Sequence, residues 1–330
     1  MIWIYYKSFI KLVASYLTGK AFWNYRLYSK YQKDTTAGGA LDFINEKSFA
    51  IVMQGPVVED SNFTVETLKI YRRNFPQSIL ILSTWDITDD VWKTLEQINV
   101  HIIKNEKSEN FGISNVNLQI VTSRAGLLAA QELGAEYVLK TRTDQRIYHP
   151  SLDAYLFSLM EAFPLSDKIP KQRNRLIGIS LNTFKYRMYG VSDMFLFGHI
   201  KDMVFYWAIP LDERRDTQAE RQKAGRTWRQ FAMWRVCEVY FCTEYIKKLG
   251  CKLSYSLADS YRVFADHFLI IDQDAIRLYW HKYTLNADRY SALGSYSPEM
   301  SFNDWLILYS STERVTVDEA ILDQPISTDK

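Results

Sequence analysis

The chain has 330 residues, of which 47% are hydrophobic and 15% aromatic, with 13 glycines and 8 prolines. Such a composition excludes disorder, collagen-like repeats and linker arrays, and the length allows one large domain or two modest ones. With 40 basic residues against 38 acidic ones the formal charge is +2, which tells against binding duplex nucleic acid through a whole basic face.

The first 33 residues are a composition island. Lys7, Lys11, Lys20, Arg26, Lys30 and Lys33 all precede the first acid, Asp34. Trp3, Tyr6, Phe9, Ile10, Val13, Tyr16 and Leu17 recur at helical spacing on one stripe. Two lysines near the middle would cost about 5–7 kcal/mol on insertion, while each apolar residue returns only about 0.3–0.6 kcal/mol. This segment therefore does not span a bilayer, and no signal-peptide pattern accompanies it. Two readings remain for it: a helix lying in the membrane interface with its lysines toward anionic lipid, or one docked on its own domain.

After Gly38-Gly39 the pattern turns to alternating strand and helix, so a segment 1–42 is set apart from a catalytic domain 43–330. Residues 48–53 (SFAIVM) read as a buried strand stopped by Gly55-Pro56, and 64–74 as a helix. Residues 78–82 (SILIL) form a second strand, 89–98 a helix and 100–103 a short strand. A long helix over 115–133 has Ser114 at its N-cap and Gly134 past its end. The run 136–141 (EYVLKT) is a fourth strand, with later strands at 176–179 and 194–197 and a mostly helical remainder from 199. Such alternation argues an α/β fold with a parallel sheet covered on both faces.

Cys237, Cys242 and Cys251 cannot complete a disulfide set and match no zinc spacing, so they read as reduced core thiols of a cytosolic protein. No HExxH, Walker A, GxGxxG or GxSxG string occurs. Zinc proteases, P-loop nucleotidases, simple dinucleotide enzymes and typical serine hydrolases lose their basis.

Ligands of open parallel sheets bind beyond the carboxyl ends of the strands. Gln54-Gly55-Pro56 closes the first strand: Pro56 fixes the turn, Gly55 permits close backbone approach, and Gln54 is placed to bond a base or ribose. The fourth strand ends in Asp144 among Lys140, Arg142 and Arg146. One carboxylate in a cationic ring suits a nucleoside diphosphate, whose oxygens bridge a divalent cation while guanidinium groups take the remaining lone pairs. The alternative reading of Asp144 is a helix cap or salt-bridge partner.

Taken together, FAIVMQGPV, FP-x-SIL-x-LSTW, N-x-NLQI-x-x-SRAGLLAA, EYVLKTRTDQRIY and SDMFLFG resemble the WavE family of lipopolysaccharide-synthesis proteins over roughly 48–290. The resemblance implies a GT-A-type glycosyltransferase with a mainly parallel sheet and a mainly helical C-terminal part. A nucleotide-sugar half would cover about 48–150 and an acceptor half about 151–330. It further implies a nucleotide-sugar donor and a lipid-linked or oligosaccharide acceptor of lipopolysaccharide or capsule. The protein would lie at the inner face of the cytoplasmic membrane, in peripheral contact through residues 1–33.

In that family pattern Asp-x-Asp holds metal and diphosphate. Here Arg142 stands where the first acid is usual, so Asp144 is the one candidate ligand for Mn or Mg, and metal dependence stays open. Asn117 and Arg124, on one face of the long helix, are further nucleotide-sugar candidates. Asp193 and Glu238 are the two candidate catalytic bases at the acceptor. Trp280-His281-Lys282-Tyr283 resembles the late segment where such enzymes place a basic residue on the diphosphate or a further metal ligand. The charged run 212–229 is either a solvated face or a grip for acceptor phosphates. Two rival functions are a sugar nucleotidyltransferase, which would need a glycine-rich loop that QGPVVED lacks, and a non-catalytic membrane adaptor.

Overall fold

The computed structural model describes residues 47–166, 169, 171–281, 298–311 and 317–326. The amphipathic stretch 1–33, the segment 1–42 and Lys282-Tyr283 lie outside the described residues. Strands β1 (Phe49–Gln54), β2 (Ile79–Thr84) and β4 (Tyr137–Arg142) form from the apolar runs and are almost wholly buried, while β3 (Val100–Lys104) at the sheet edge is half covered. Helices α1 (Phe63–Asn74), α2 (Asp89–Glu96) and α3 (Val116–Glu132) connect them.

The second half adds β5 (Gln145–Ile147), α4 (Leu152–Ala162), β6 (Leu176–Ile179) and β7 (Leu196–His199). Helices α5 (Ile200–Trp207), α6 (Gln218–Gln222), α7 (Trp228–Trp234), α8 (Cys237–Leu249) and α9 (Leu257–His267) follow. Then come β8 (Phe268–Ile271), β9 (Leu278–Trp280) and α10 (Phe302–Ser310). Strands from both halves share one seven-stranded sheet in the order β3-β2-β1-β4-β7-β6-β8. This is the expected α/β fold with a mostly parallel sheet.

Four details depart from the sequence reading. Strand β7 is antiparallel to β4 and β6, so the sheet is not wholly parallel. Strands β8 and β9 fall in the region read as helical. β8 follows α9 without a loop, so its four apolar residues merge with the helical pattern before them. The N-cap of α3 is Asn115, in a left-handed conformation at φ 63°, and not Ser114, which sits inside a 3-10 turn. Cys237 and Cys242 are buried thiols, but Cys251 is exposed. Among the described residues no helix is long and apolar enough to cross a membrane.

Helix α3 lies close on β1 and β2 because Gly126 has no side chain there. A Cβ at Gly126 would stand 2.5 Å from Val52 Cγ1 and 3.1 Å from Ser83 Cβ. Alanine would gain about 1 kcal/mol of helix propensity and lose about 1–3 kcal/mol to overpacking. Overpacking wins, so Gly126→Ala is expected to lower the urea midpoint and Gly126→Val to lower it further. A midpoint for Gly126→Ala at or above that of the parent chain, followed by circular dichroism, would contradict this packing.

Candidate active site

The chain runs from β1 outward to β2 and β3, then returns to place β4 on the other side of β1. That reversal opens a crevice at the carboxyl ends of β1 and β4, where ligands of open α/β sheets bind. Gln54 and Arg142 face each other in register there. The Gln54 side chain is buried, and its Oε1 accepts a hydrogen bond from Thr122 Oγ1 at 2.7 Å. Gly55 adopts φ +124°, and a Cβ on it would come 2.8 Å from Thr143 Oγ1, so the turn is pressed against the end of β4. Pro56, next along, is exposed.

Side chains alternate along a strand, so Lys140 and Arg142 share one face of β4 at different depths. Arg142 is at the rim. Its Nε and Nη2 donate to the two carboxylate oxygens of Asp144 at 2.9 and 3.1 Å. The β5–β9 ribbon brings Trp280 over this pair: Trp280 Nε1 donates to Asp144 Oδ2 at 2.9 Å, and the His281 amide donates to the Asp144 carbonyl at 2.9 Å. The His281 ring stacks on Phe63 at 4.4 Å and meets Asp60 at 3.0 Å. Burial opposes ionisation of Asp144, but the Arg142 guanidinium and the Trp280 indole outweigh it and hold the carboxyl below its ordinary range.

Beneath the rim lies a buried layer. The Lys140 ammonium is fully enclosed, donates to the Asp193 carbonyl, stands 3.9 Å from Asp193 Oδ2 and packs 4.7 Å from the Trp207 ring centre. Burial pushes its pKa down to about 8, against the pull of Asp193. Glu238, in the first turn of α8, is buried beside Arg187 at 3.6 Å and accepts a hydrogen bond from Asn182 Nδ2. Burial raises the Glu238 carboxyl above its ordinary value; Arg187 opposes the shift and Asp193 adds to it. Asp193 Oδ2 and Arg187 Nε are buried without a hydrogen-bond partner among the described residues.

The expected ring of three cations thus divides. Arg142 faces the crevice, Lys140 serves the layer below, and Arg146 turns toward α1. The Arg146 Nε donates to Thr67 Oγ1 at 2.9 Å and Nη2 to the Phe63 carbonyl at 3.2 Å. Asn117 is also committed elsewhere: its Nδ2 donates to the Asn110 and Asp212 carbonyls at 2.9 Å, and its Oδ1 accepts from the Asp212 amide at 2.7 Å. The free N–H groups before α3 are met by acids of the 212–216 loop, with Asp216 Oδ2 3.2 Å from the Ser114 amide. Arg124 is exposed and near Lys248, at the far end of α8 from Glu238.

Sequence reasoning overlooked Asn182 and Arg187. They stand just past the carboxyl end of β6, and the strand-end rule applied to β1 and β4 would have found them.

The Arg-Thr-Asp motif leaves a divalent cation at Asp144 open. The donor set does not fit one. Three of the carboxylate's roughly four lone-pair positions are used by Arg142 and Trp280. A cation on the remaining position would sit beside a guanidinium that already neutralises the carboxylate. Among the described residues no group of three His, Cys, Asp or Glu side chains is placed to hold a metal.

No curated protein sequence matches this chain. Among solved structures, the chain is similar to a 4-diphosphocytidyl-2C-methyl-D-erythritol synthase, with a TM-score of 0.32, 14% identity, and coverage of 50% of this chain and 80% of that one. It is also similar to a glycosyltransferase involved in glycosylation of the major capsid of PBCV-1, with a TM-score of 0.27, 12% identity, and coverage of 49% and 66%. The TarS structure from S. aureus gives a TM-score of 0.36 at 11% identity over 67% of this chain and 42% of that one. The family pattern for WavE lipopolysaccharide synthesis matches residues 49–323, and with most of its length inside that match the chain belongs to the WavE family of lipopolysaccharide-synthesis proteins.

Proposed function

We propose that the protein transfers a sugar from a nucleotide-sugar donor to a lipopolysaccharide or other surface-glycan acceptor. What supports this reading, beside the family, is the two-layer charge arrangement at the end of β4: a clamped guanidinium at the rim, and an acid of raised pKa in the buried layer beneath. Pro56 and the Gly55 turn border the nucleotide. Arg142, held in place by Asp144, meets the diphosphate.

Glu238 is the acceptor-side base. It is chosen over Asp193 because it sits at a helix start and burial raises its pKa above the ordinary carboxylate value, as a base requires. In the displacement, the acceptor hydroxyl gives its proton to Glu238, and its oxygen bonds the anomeric carbon. The bond from that carbon to the diphosphate oxygen breaks, and the nucleoside diphosphate leaves with its charge met by Arg142. Residues 1–33 would hold the chain at the inner face of the cytoplasmic membrane, near a lipid-linked acceptor.

Glu238→Gln is expected to lower kcat by about 10²–10⁴-fold with unchanged nucleoside diphosphate affinity, because the base acts only in the transition state. The acidic limb of the kcat profile should lie above the ordinary carboxylate value, since protonating Glu238 as pH falls removes the base. Near-normal turnover in both Glu238→Gln and Asp193→Asn would place the base elsewhere.

Asp144→Ala, which frees Arg142 from its clamp, should weaken nucleoside diphosphate binding in calorimetry and abolish transfer, while chelator should leave binding unchanged. Asp144 has a depressed pKa, so the stability it contributes is complete above the ordinary carboxylate value and is lost as pH falls through its lower folded value. Asp144→Asn should accordingly flatten the acid side of the stability profile, measured by melting between about pH 2 and 5. A profile unchanged by that substitution would contradict the clamp.

A further inference from the structure

Helices α9 and α10 do not close against each other along their whole length. Between them lies a cavity of about 670 Å³ lined in part by Arg175, Ser254, Tyr261, Arg262, Asp266 and Tyr309. A second cavity of about 490 Å³ shares Arg262 and Asp266 and is lined further on by Lys171 and Lys252. Each volume falls within the range of about 300–1,000 Å³ typical of ligand sites. The two cavities adjoin at this shared pair along α9, and none of the proposed catalytic residues lines the groove they mark out.

Its chemistry changes from end to end. Tyr309 is held by the Arg175 guanidinium 4.8 Å from its ring centre, and Arg175 is itself fixed by bonds to the Ala265 and Phe163 carbonyls at 2.9 and 3.1 Å. Tyr309 also stacks on Trp305 at 5.1 Å, so its ring is packed into the wall, and Tyr261 is the partly exposed ring that the groove offers, with its hydroxyl as a polar handle. The half-buried Asp266 carboxylate makes no hydrogen bond among the described residues, and burial raises its pKa. Arg262, at the middle, is paired with Asp259. The far end is cationic, with Lys171 and Lys252 exposed. An aromatic ring, a carboxylate able to accept hydroxyl protons and a cationic terminus suit a sugar chain that carries negative charge.

The groove is also bonded to the acid-bearing loop of the site. Tyr189 lies in the connection between β6 and β7, with Arg187 and Asp193. Its hydroxyl donates to Asp259 Oδ2 at 2.7 Å, and its amide donates to Ser260 Oγ at 2.9 Å, both residues of α9.

We propose that the groove over α9 binds an anionic oligosaccharide, with a sugar face against Tyr261, hydroxyls on Asp266, and phosphate or carboxylate groups on Lys171 and Lys252. It deepens the glycan-transfer reading by giving an extended acceptor a second foothold outside the crevice, and rests on that reading for the acceptor's identity.

The experiment is saturation-transfer difference NMR on the full chain, using deacylated lipopolysaccharide core oligosaccharide as probe, phosphorylated and enzymatically dephosphorylated. Nucleoside diphosphate calorimetry on the same samples reports the crevice independently. The parent chain should transfer saturation to the phosphorylated probe and bind the dephosphorylated one more weakly. The surface double variant Lys171→Glu/Lys252→Glu should weaken the phosphorylated probe by about tenfold or more, and Tyr261→Ala should remove saturation from the sugar ring protons, both with unchanged nucleoside diphosphate affinity. Oligosaccharide binding that both variants retain, or no binding by the parent chain, overturns the groove. Oligosaccharide binding that the variants lose, in a chain that binds no nucleoside diphosphate, upholds the groove and overturns the donor site instead.

Discussion

A fully enclosed ammonium at the centre of a sheet is the constraint around which the rest of this site is arranged. Removing an unpaired charge from water costs several kcal/mol, so it survives only where partners converge on it. For Lys140 they are the Asp193 carbonyl and carboxylate and the face of Trp207. Meeting that charge fixes the loop ahead of β7 against β4, and the fixed loop presents Asp193 to the first turn of α8. Burial raises the Glu238 carboxyl there, and Asp193 adds to that shift against the pull of Arg187.

Depth along one strand then separates two kinds of chemistry. Lys140 and Arg142 leave β4 on the same face, two residues apart, yet one is sealed and the other reaches solvent. The deep charge organises the acids, whereas the shallow one is held by Asp144 and the Trp280 indole and left facing the crevice. A guanidinium suits the shallow position because its planar fork binds a carboxylate with two donors and still offers the others to an incoming anion.

Much of this was legible in sequence because strand ends are marked by abrupt changes from apolar to polar. The run EYVLKTRTD announces both β4 and the carboxylate past it. The turn at Gly55-Pro56 is marked in the same way. What sequence did not disclose was partnership. Asn117 has the right residue type near the right helix start, yet its amide is spent on the loop at Asp212. Arg146 follows Lys140 and Arg142 closely enough in sequence to read as a third member of one ring, yet its guanidinium is claimed by Thr67 and the Phe63 carbonyl. Both sets of partners are distant in sequence, and nothing local records them. β8 was missed for a different reason: a four-residue apolar strand that continues directly from a helix carries no period of its own.

The direction of a single strand has a geometric consequence. Asp193 precedes β7, and β7 has four residues. A strand of that length spans about 13 Å. Were β7 parallel to its neighbours, the loop leading into it would lie at the opposite edge of the sheet, roughly that far from the end of β4. Its reversal means that a loop entering a strand and loops leaving strands meet on one side. Polarity of one short strand, and not any change of residue, therefore decides whether the carboxylate of Asp193 and the ammonium of Lys140 can share a site.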